Sequence, residues 1–378
     1  MNIENLENFG WKSEEIAAYV SLKSAIQSYF DTYRALSFVK PVVDLSTIRT
    51  LSQSEISEYE ISEYKNDYFT SITHFQHFFE LILKDSLERI DPLLAKKMDE
   101  KGIVDIYCKL NGATNPDSEK IQSIEFSDAL KRLQKIREIN PNDTIIKEIR
   151  FLLDNYKILE KLNHLRNRIW HKGLFFLNYH ALDWFVGHEI LPLVKQAFEM
   201  TTYSGKMYLW RYKSLSCGLD PMGLIIREFE GKEEQDVDYE KVALLKEMGR
   251  ASYQNPLEMV DPAKHTDKWY GLYKSFANTV NSDKVDECLA KTEAIRKQFF
   301  FCDAYTCPIC GQKTFVRFVE DEGDGWEDEN DEYHQYWKLV PFKMECQTCS
   351  FKINPNIKNL SMISLDGNEI WKIEESSD

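Results

Sequence analysis

Apolar residues recur at helical spacing through most of the chain. Ile72, Phe75, Phe79 and Ile82, followed by Leu83, Leu87, Ile90 and Leu94, predict a helix from about Asn66 to Leu94, ended or kinked at Asp91-Pro92. Before it, EEIAAYVSLKSAIQSYFDTYRALSFV reads as helix, and a polar Ser/Glu-rich stretch, LSQSEISEYEISEY, intervenes. The polar run Lys109 to Glu119, with Gly112 and Pro116, precedes another helix near 124–138. Asn140-Pro141-Asn142-Asp143 signals the start of a long helix expected to reach His171 before Gly173. NYHALDWFVGHEILPLVKQAFEM is again helical in period, with Pro192 expected to kink or break it. YEKVALLKEMGRASY and DKVDECLAKTEAIRKQFF add further helices. Beyond Asp303 the texture changes to short β-type runs, KTFVRFV, YWKLVPFKM and EIWKI, separated by turn signals.

The expected fold is therefore mainly α: a helical bundle with additional helices and a small β-rich module at the C-terminal end. The divisions predicted along the chain are a helical segment 1–60, a helical domain 61–205, a helical region 206–302 without an evident role, and a module 303–378 with an acidic insertion at 320–332.

Composition narrows the class. With 43% hydrophobic and 13% aromatic residues, the 378-residue chain has enough apolar area to build a core, which excludes disorder as its main state. No run of about 18 apolar residues occurs, and MNIENLENFG carries acids where a secretory leader carries lysines and then an apolar stretch, so a soluble, cytoplasmic protein without a membrane partner is expected. The balance of 47 basic against 62 acidic residues, net −15, opposes non-specific binding to polyanions, so any nucleic-acid contact must be local.

Four of the eight cysteines form two tight pairs, Cys307-Pro308-Ile309-Cys310 and Cys346-Gln347-Thr348-Cys349. Two CxxC knuckles together offer four thiolates for a tetrahedral structural zinc, and Gly311 supplies a residue that tolerates the turn. The 35 residues between the pairs exceed the usual gap of about 15–20, and the acidic insertion explains the excess. That insertion holds nine acids around Trp326 without the ligand register of a calcium loop, so a solvated acidic loop is expected. Cys302 and His334 are surplus to the four thiolates. The module carries 16 acidic and 7 basic residues, which favours a folding or protein-recognition role over DNA binding.

The segment TIIKEIRFLLDNYKILEKLNHLRNRIWHKG carries the most chemistry. Advancing 100° per residue from Ile145, the residues Ile149, Leu152, Tyr156 and Leu159 fall within about 40° of one line. Asn163 then falls on that line, with Arg166 and Asn167 at about −60° and +40° and His171 near +80°. A buried stripe that turns polar is expected mainly at a functional site. His171 can transfer protons near neutral pH, Arg166 offers a planar fork to phosphate oxygens, and Asn167, four residues before His171, can orient it. RNA carries its own nucleophile in the 2′-hydroxyl, so such a set can cleave it by proton transfer and charge stabilisation without a catalytic cofactor. Seven basic residues against three acidic ones from Thr144 to Gly173 make this stretch a basic patch within an acidic chain. His164 shares a face with His171, but no carboxylate completes a metal set. His74, His77, His180 and His188 read as packed or capping histidines.

Arg166-Asn167-Arg168-Ile169-Trp170-His171 resembles the Arg-polar-spacer-His motif of ribonucleases of the HEPN superfamily (higher eukaryotes and prokaryotes nucleotide-binding domain), and THFQHFFELILKDSLERI looks like that family's earlier core helix, with Glu80 and Lys84 as supporting residues. The resemblance covers about residues 60–200. It implies a helical bundle that pairs as a homodimer or higher homo-oligomer with two motifs facing one cleft, and RNA cleavage, of tRNA for example, that leaves a 2′,3′-cyclic phosphate. It implies Arg166 on the phosphate, His171 handling protons and Asn167 ordering them; Asn163, placed by the helical phase, is a further supporting residue. It also implies a toxin or antiphage-defence setting, with a regulatory protein or antitoxin as a partner. Where relatives controlled by a nucleotidyltransferase antitoxin carry a Tyr two residues after the His, this chain has Gly173. The alternative expectation is a non-catalytic helical scaffold that binds a nucleotide or protein and carries a structural zinc ribbon.

Overall fold

A computed structural model describes residues 14–37, 58–114, 122–172, 177–205, 207–257, 284–297, 302–327 and 333–377. These residues are mainly helical, with one small antiparallel sheet towards the C-terminus. The helices are α1 (Glu14–Ser37), α2 (Glu58–Ile90), α3 (Glu100–Leu110), α4 (Phe126–Ile139), α5 (Thr144–Glu148), α6 (Arg150–Asp154), α7 (Tyr156–Lys172), α8 (Tyr179–Trp184), α9 (Leu191–Ala197), α10 (Pro221–Phe229), α11 (Tyr239–Gln254), α12 (284–297) and α13 (Gly367–Ile370). The strands are β1 (Ala304–Tyr305), β2 (Phe315–Asp321), β3 (Asp324–Glu327), β4 (Tyr333–Cys346), β5 (Lys352–Ile353) and β6 (Glu374–Ser377). No described helix is long and apolar enough to cross a membrane.

The chain folds into two compact units, each assembled from separate stretches: residues 1–28, 68–177 and 189–211 in the first, and residues 29–67, 178–188 and 212–378 in the second. In the first unit the predicted stripe of α2 is buried, including Ile72, Phe75, Phe79, Ile82, Leu83 and Leu87. Phe198 stacks on Trp210 at 4.4 Å, and the Tyr19 hydroxyl donates to the Tyr203 carbonyl at 3.0 Å. Asp91 stops α2, its side chain accepting from Leu93 N as Pro92–Ala95 form a single 3₁₀ turn.

Several elements differ from the sequence reading. The helix α2 begins at Glu58 rather than near Asn66, because its Glu-rich first turns favour helix even without an apolar stripe. The helix α3 has no counterpart among the predicted elements, although Ile103, Tyr107 and Leu110 recur at helical spacing; the apolar face they form with Val104 is exposed. The long helix predicted from Thr144 to His171 is three pieces, with breaks at Ile149 and Asn155, where the Asn155 side chain donates to Phe151 O at 2.8 Å. Ahead of Pro192 the helix widens into a π-turn over Phe185–Ile190. EIWKI is not a strand; α13 occupies Gly367–Ile370, capped by Asp366, and β6 follows. The acidic insertion is not a plain loop: Glu320 and Asp321 belong to β2, and Asp324–Glu327 is a strand paired with β4; residues 328–332 lie outside the described residues.

In the second unit the sheet runs β1-β2-β4-β3, with β5 and β6 also paired to β4. The β2–β4 register shifts between Phe318 and Val319, and Pro341, which cannot donate to the ladder, lies opposite Val319 at that bulge. The helix α11 is the spine of this unit, buried from Val242 to Ser252. At Gly249 a Cβ would lie 2.2 Å from the Phe30 ring, so only glycine admits this packing without a shift.

Candidate active site and metal centre

In the first unit, α2 and α7 face a pocket of about 370 Å³. Residues four apart on α2 lie on one helix face, and Gln76, Glu80 and Lys84 supply one wall in this way. Glu80 accepts from Lys84 Nζ at 2.7 Å and from Gln76 Nε2 at 2.9 Å, so both its oxygens are held. Lys84 also donates to Ser123 Oγ at 3.0 Å. Ser123 is fixed by its β-bridge to Lys96 and by the bonds Lys97 N to Gln122 O and Ile124 N to Ala95 O. The first turn of α4 (Phe126, Ser127) and its N-cap Glu125, whose side chain makes no capping bond, form the floor.

The opposite wall is Asn163, Arg166 and Asn167 of α7, with Arg166 Nη1 donating to Asn167 Oδ1 at 2.9 Å. The structure thus brings together Arg166, Asn167, Asn163, Glu80 and Lys84, five of the six residues singled out from sequence outside the cysteines. The sixth, His171, lies in the last turn of α7, and its side chain is outside the described residues. Gln76 and Ser123 are lining residues that the sequence reading misses; the signal for Gln76 is its spacing of four from Glu80.

The helical phase that singles out α7 in the sequence does not survive the chain breaks. The break at Asn155 resets the helix, and the buried stripe of α7 runs through Leu159, Leu162, Leu165 and Ile169, with Arg166 as its polar member. Measured from Leu159, the other three lie about 60–120° to one side; the half-buried Arg166, about 20° to that same side, falls within this arc, and Asn163 and Asn167 lie beyond it, on the pocket side.

Of the remaining histidines, His77 feels the charges of Glu80, Lys84 and Arg166. The His180 ring stacks on Tyr239 at 4.1 Å and the His188 ring on Trp184 at 4.4 Å, while His164 is exposed. His77 Nδ1 pairs with Ser21 Oγ at 2.7 Å. Desolvation lowers the pKa of both His74 and His77 from the ordinary 6.5.

In the second unit the sulfur atoms of Cys307, Cys310, Cys346 and Cys349 all lie within 4.8 Å of one another, buried and outside any disulfide. Cys307 and Cys349 are 3.5 Å apart and Cys310 and Cys346 3.6 Å apart, close to the edge of about 3.8 Å that a tetrahedron with metal–sulfur bonds of about 2.3 Å requires. Ile309 N donates to Cys307 Sγ at 3.4 Å, and Thr348 N and Cys349 N to Cys346 Sγ at 3.4 and 3.5 Å, so the knuckles aim backbone dipoles at sulfur. Hydrogen bonds from Cys307, then Cys310 and Cys349, push the Cys346 thiol down, whereas burial pushes Cys307 and Cys349 up. A donor set of four buried sulfurs at this spacing fits a metal ion. Cys302 is buried outside the cluster; His334 lies opposite Trp326 on β4, with its side chain outside the described residues.

The knuckles are set by β4 and by neighbouring turns. Gly311 takes φ +73°, and a Cβ there would meet Ser216 Oγ at 2.7 Å. Ser216 N and Cys217 N donate to Ile309 O and Pro308 O at 2.9 Å, docking the first knuckle on the chain before α10.

Comparison with known proteins returns no match: no family model, no curated protein and no solved structure matches this chain.

Proposed function

We propose that the protein is a metal-independent endoribonuclease of the HEPN type, working as a homodimer or higher homo-oligomer in a toxin or antiphage-defence setting, with tRNA among its candidate substrates, and that its four cysteines hold a structural zinc ion. The observation that carries the nuclease reading is the pocket between α2 and α7, where the half-buried Arg166, ordered by Asn167, stands across from the Lys84–Glu80–Gln76 chain.

In the proposed reaction the ribose 2′-hydroxyl gives up its proton to a base and attacks the adjacent phosphorus. The bond from phosphorus to the 5′-oxygen breaks, that oxygen takes a proton and leaves, and a 2′,3′-cyclic phosphate remains. Arg166 offsets the charge that builds on the non-bridging oxygens. His171 exchanges the protons. Lys84 fixes Glu80 and Ser123, keeping the wall opposite Arg166 in place.

The test is a cleavage assay with single-stranded RNA and tRNA in excess chelator, with the product ends analysed. A 2′,3′-cyclic phosphate, and no cleavage at a position made 2′-deoxy, supports the reading. Products ending in a 3′-hydroxyl contradict it. The second reading, a non-catalytic scaffold, is favoured by the Glu80 carboxylate in the same pocket, which suits hydrogen bonding to a base or ribose rather than to phosphate. Saturable nucleotide binding without turnover would select it.

A further inference from the structure

We infer that Glu247 and Arg250 of α11 form the outer shell of the four-cysteine site, so that the metal and the buried helix of the second unit hold each other in place. This inference rests on the reading that the cysteines bind a metal. Both side chains are almost wholly buried and meet as a two-pronged pair, Arg250 Nε to Glu247 Oε2 at 2.6 Å and Arg250 Nη2 to Glu247 Oε1.

From that pair two arms reach the second knuckle. Arg250 Nη2 donates to the carbonyl of Ser350, the residue after Cys349, and Nη1 reaches Ser350 Oγ at 3.3 Å. Glu247 Oε1 accepts from Lys352 N at 2.8 Å. Gln254, one turn on, accepts from both Arg250 Nη1 and Ser350 Oγ at 2.7 Å.

Ser350 needs such a hold. It is one of two described non-glycine residues with positive φ, at +59°, a conformation that an L side chain adopts at a cost, and its N–H closes the knuckle onto Cys346 O at 3.1 Å. The guanidinium therefore braces the strained turn that presents Cys346 and Cys349. It also places a fixed positive charge beside a thiolate cluster. Burial opposes that charge, and the two-pronged pair with Glu247 offsets the penalty. Groups that orient metal ligands in this way typically change metal affinity about 10–100-fold when removed.

The experiment is zinc affinity of the full chain, measured by competition with a chromophoric chelator, for wild type, Arg250→Met, Arg250→Lys, Glu247→Gln and Gly187→Ala. In Gly187→Ala a Cβ meets the Phe229 ring at 2.2 Å, which disturbs the same unit without touching a knuckle. The expected result is a loss of about 10–100-fold in Arg250→Met and Glu247→Gln, a smaller loss in Arg250→Lys, and no change in Gly187→Ala. Hydrogen exchange on wild type covers variants that do not fold: chelation should strip protection from amides 247–254 and leave those of 75–83 in α2 protected. Wild-type zinc binding with unchanged affinity in Arg250→Met and Glu247→Gln, or α11 amides indifferent to chelation, overturns the inference and leaves the metal reading standing. Absence of zinc binding by wild type removes both.

Discussion

Lys246 Nζ lies 2.7 Å from Asp183 Oδ1 in the core of the second unit, with both side chains fully shielded from solvent. The rings of Tyr29 and Tyr179 flank the ammonium at 4.5 and 4.1 Å. Burial raises the Asp183 pKa and lowers that of Lys246, and each ion offsets the penalty on the other. Removing one partner leaves an uncompensated buried charge, so Lys246→Met is expected to cost about 3–5 kcal/mol. Adding Asp183→Leu should restore most of that, and urea unfolding of the single and double variants measures the difference.

Acid should weaken the first unit. His74 and His77 have folded pKa values below the ordinary 6.5, so between those values and 6.5 the unfolded chain binds more protons, and stability falls as pH falls through that window. Denaturant midpoints taken from pH 7.5 to 5 should decline in wild type and decline less in His74→Gln/His77→Gln. An equal slope in both would assign the decline to other groups.

Gly249 admits the Phe30 ring only because it has no Cβ. Gly249→Ala should therefore destabilise by about 1–3 kcal/mol through overpacking, despite the better helix propensity of alanine. Thermal melts of Gly249→Ala and of Gly249→Ala/Phe30→Leu check the cause, since the smaller side chain should recover part of the loss.

The helices that bury a stripe were legible from period alone, as α2 shows, and so was the cysteine cluster, because CxxC fixes ligand type and local geometry together. The helix α3 escaped prediction although Ile103, Tyr107 and Leu110 recur at helical spacing, because the period spans only about two turns; the apolar face they form is exposed. The Arg166 site was legible in its residue types, whereas the helical phase from Ile145 does not carry across the breaks at Ile149 and Asn155. Asn155 looks like any polar helix residue in sequence, and only its side-chain bond to Phe151 O reveals the break that resets the stripe. The braces on the second knuckle were likewise hidden, because Arg250 and Ser350 are 100 residues apart.

Asn167 touches the site through Arg166, accepting from its Nη1 at 2.9 Å. A hydrogen bond to a charged group contributes about 1.5–3 kcal/mol, so under the proposed nuclease function Asn167→Ala should slow cleavage by about 10–100-fold, with Asn167→Asp less impaired because it keeps an acceptor for the guanidinium. Single-turnover rates on a defined RNA, with folding checked by circular dichroism, measure the effect.

The nuclease proposal stands or falls on the cleavage rate of Arg166→Ala against wild type on the same RNA in excess chelator, with both proteins shown to share one unfolding midpoint. The expected loss is at least about 10²–10³-fold, the scale set by removing one charge-stabilising donor from a transition state. Equal rates in the two proteins would refute the proposal.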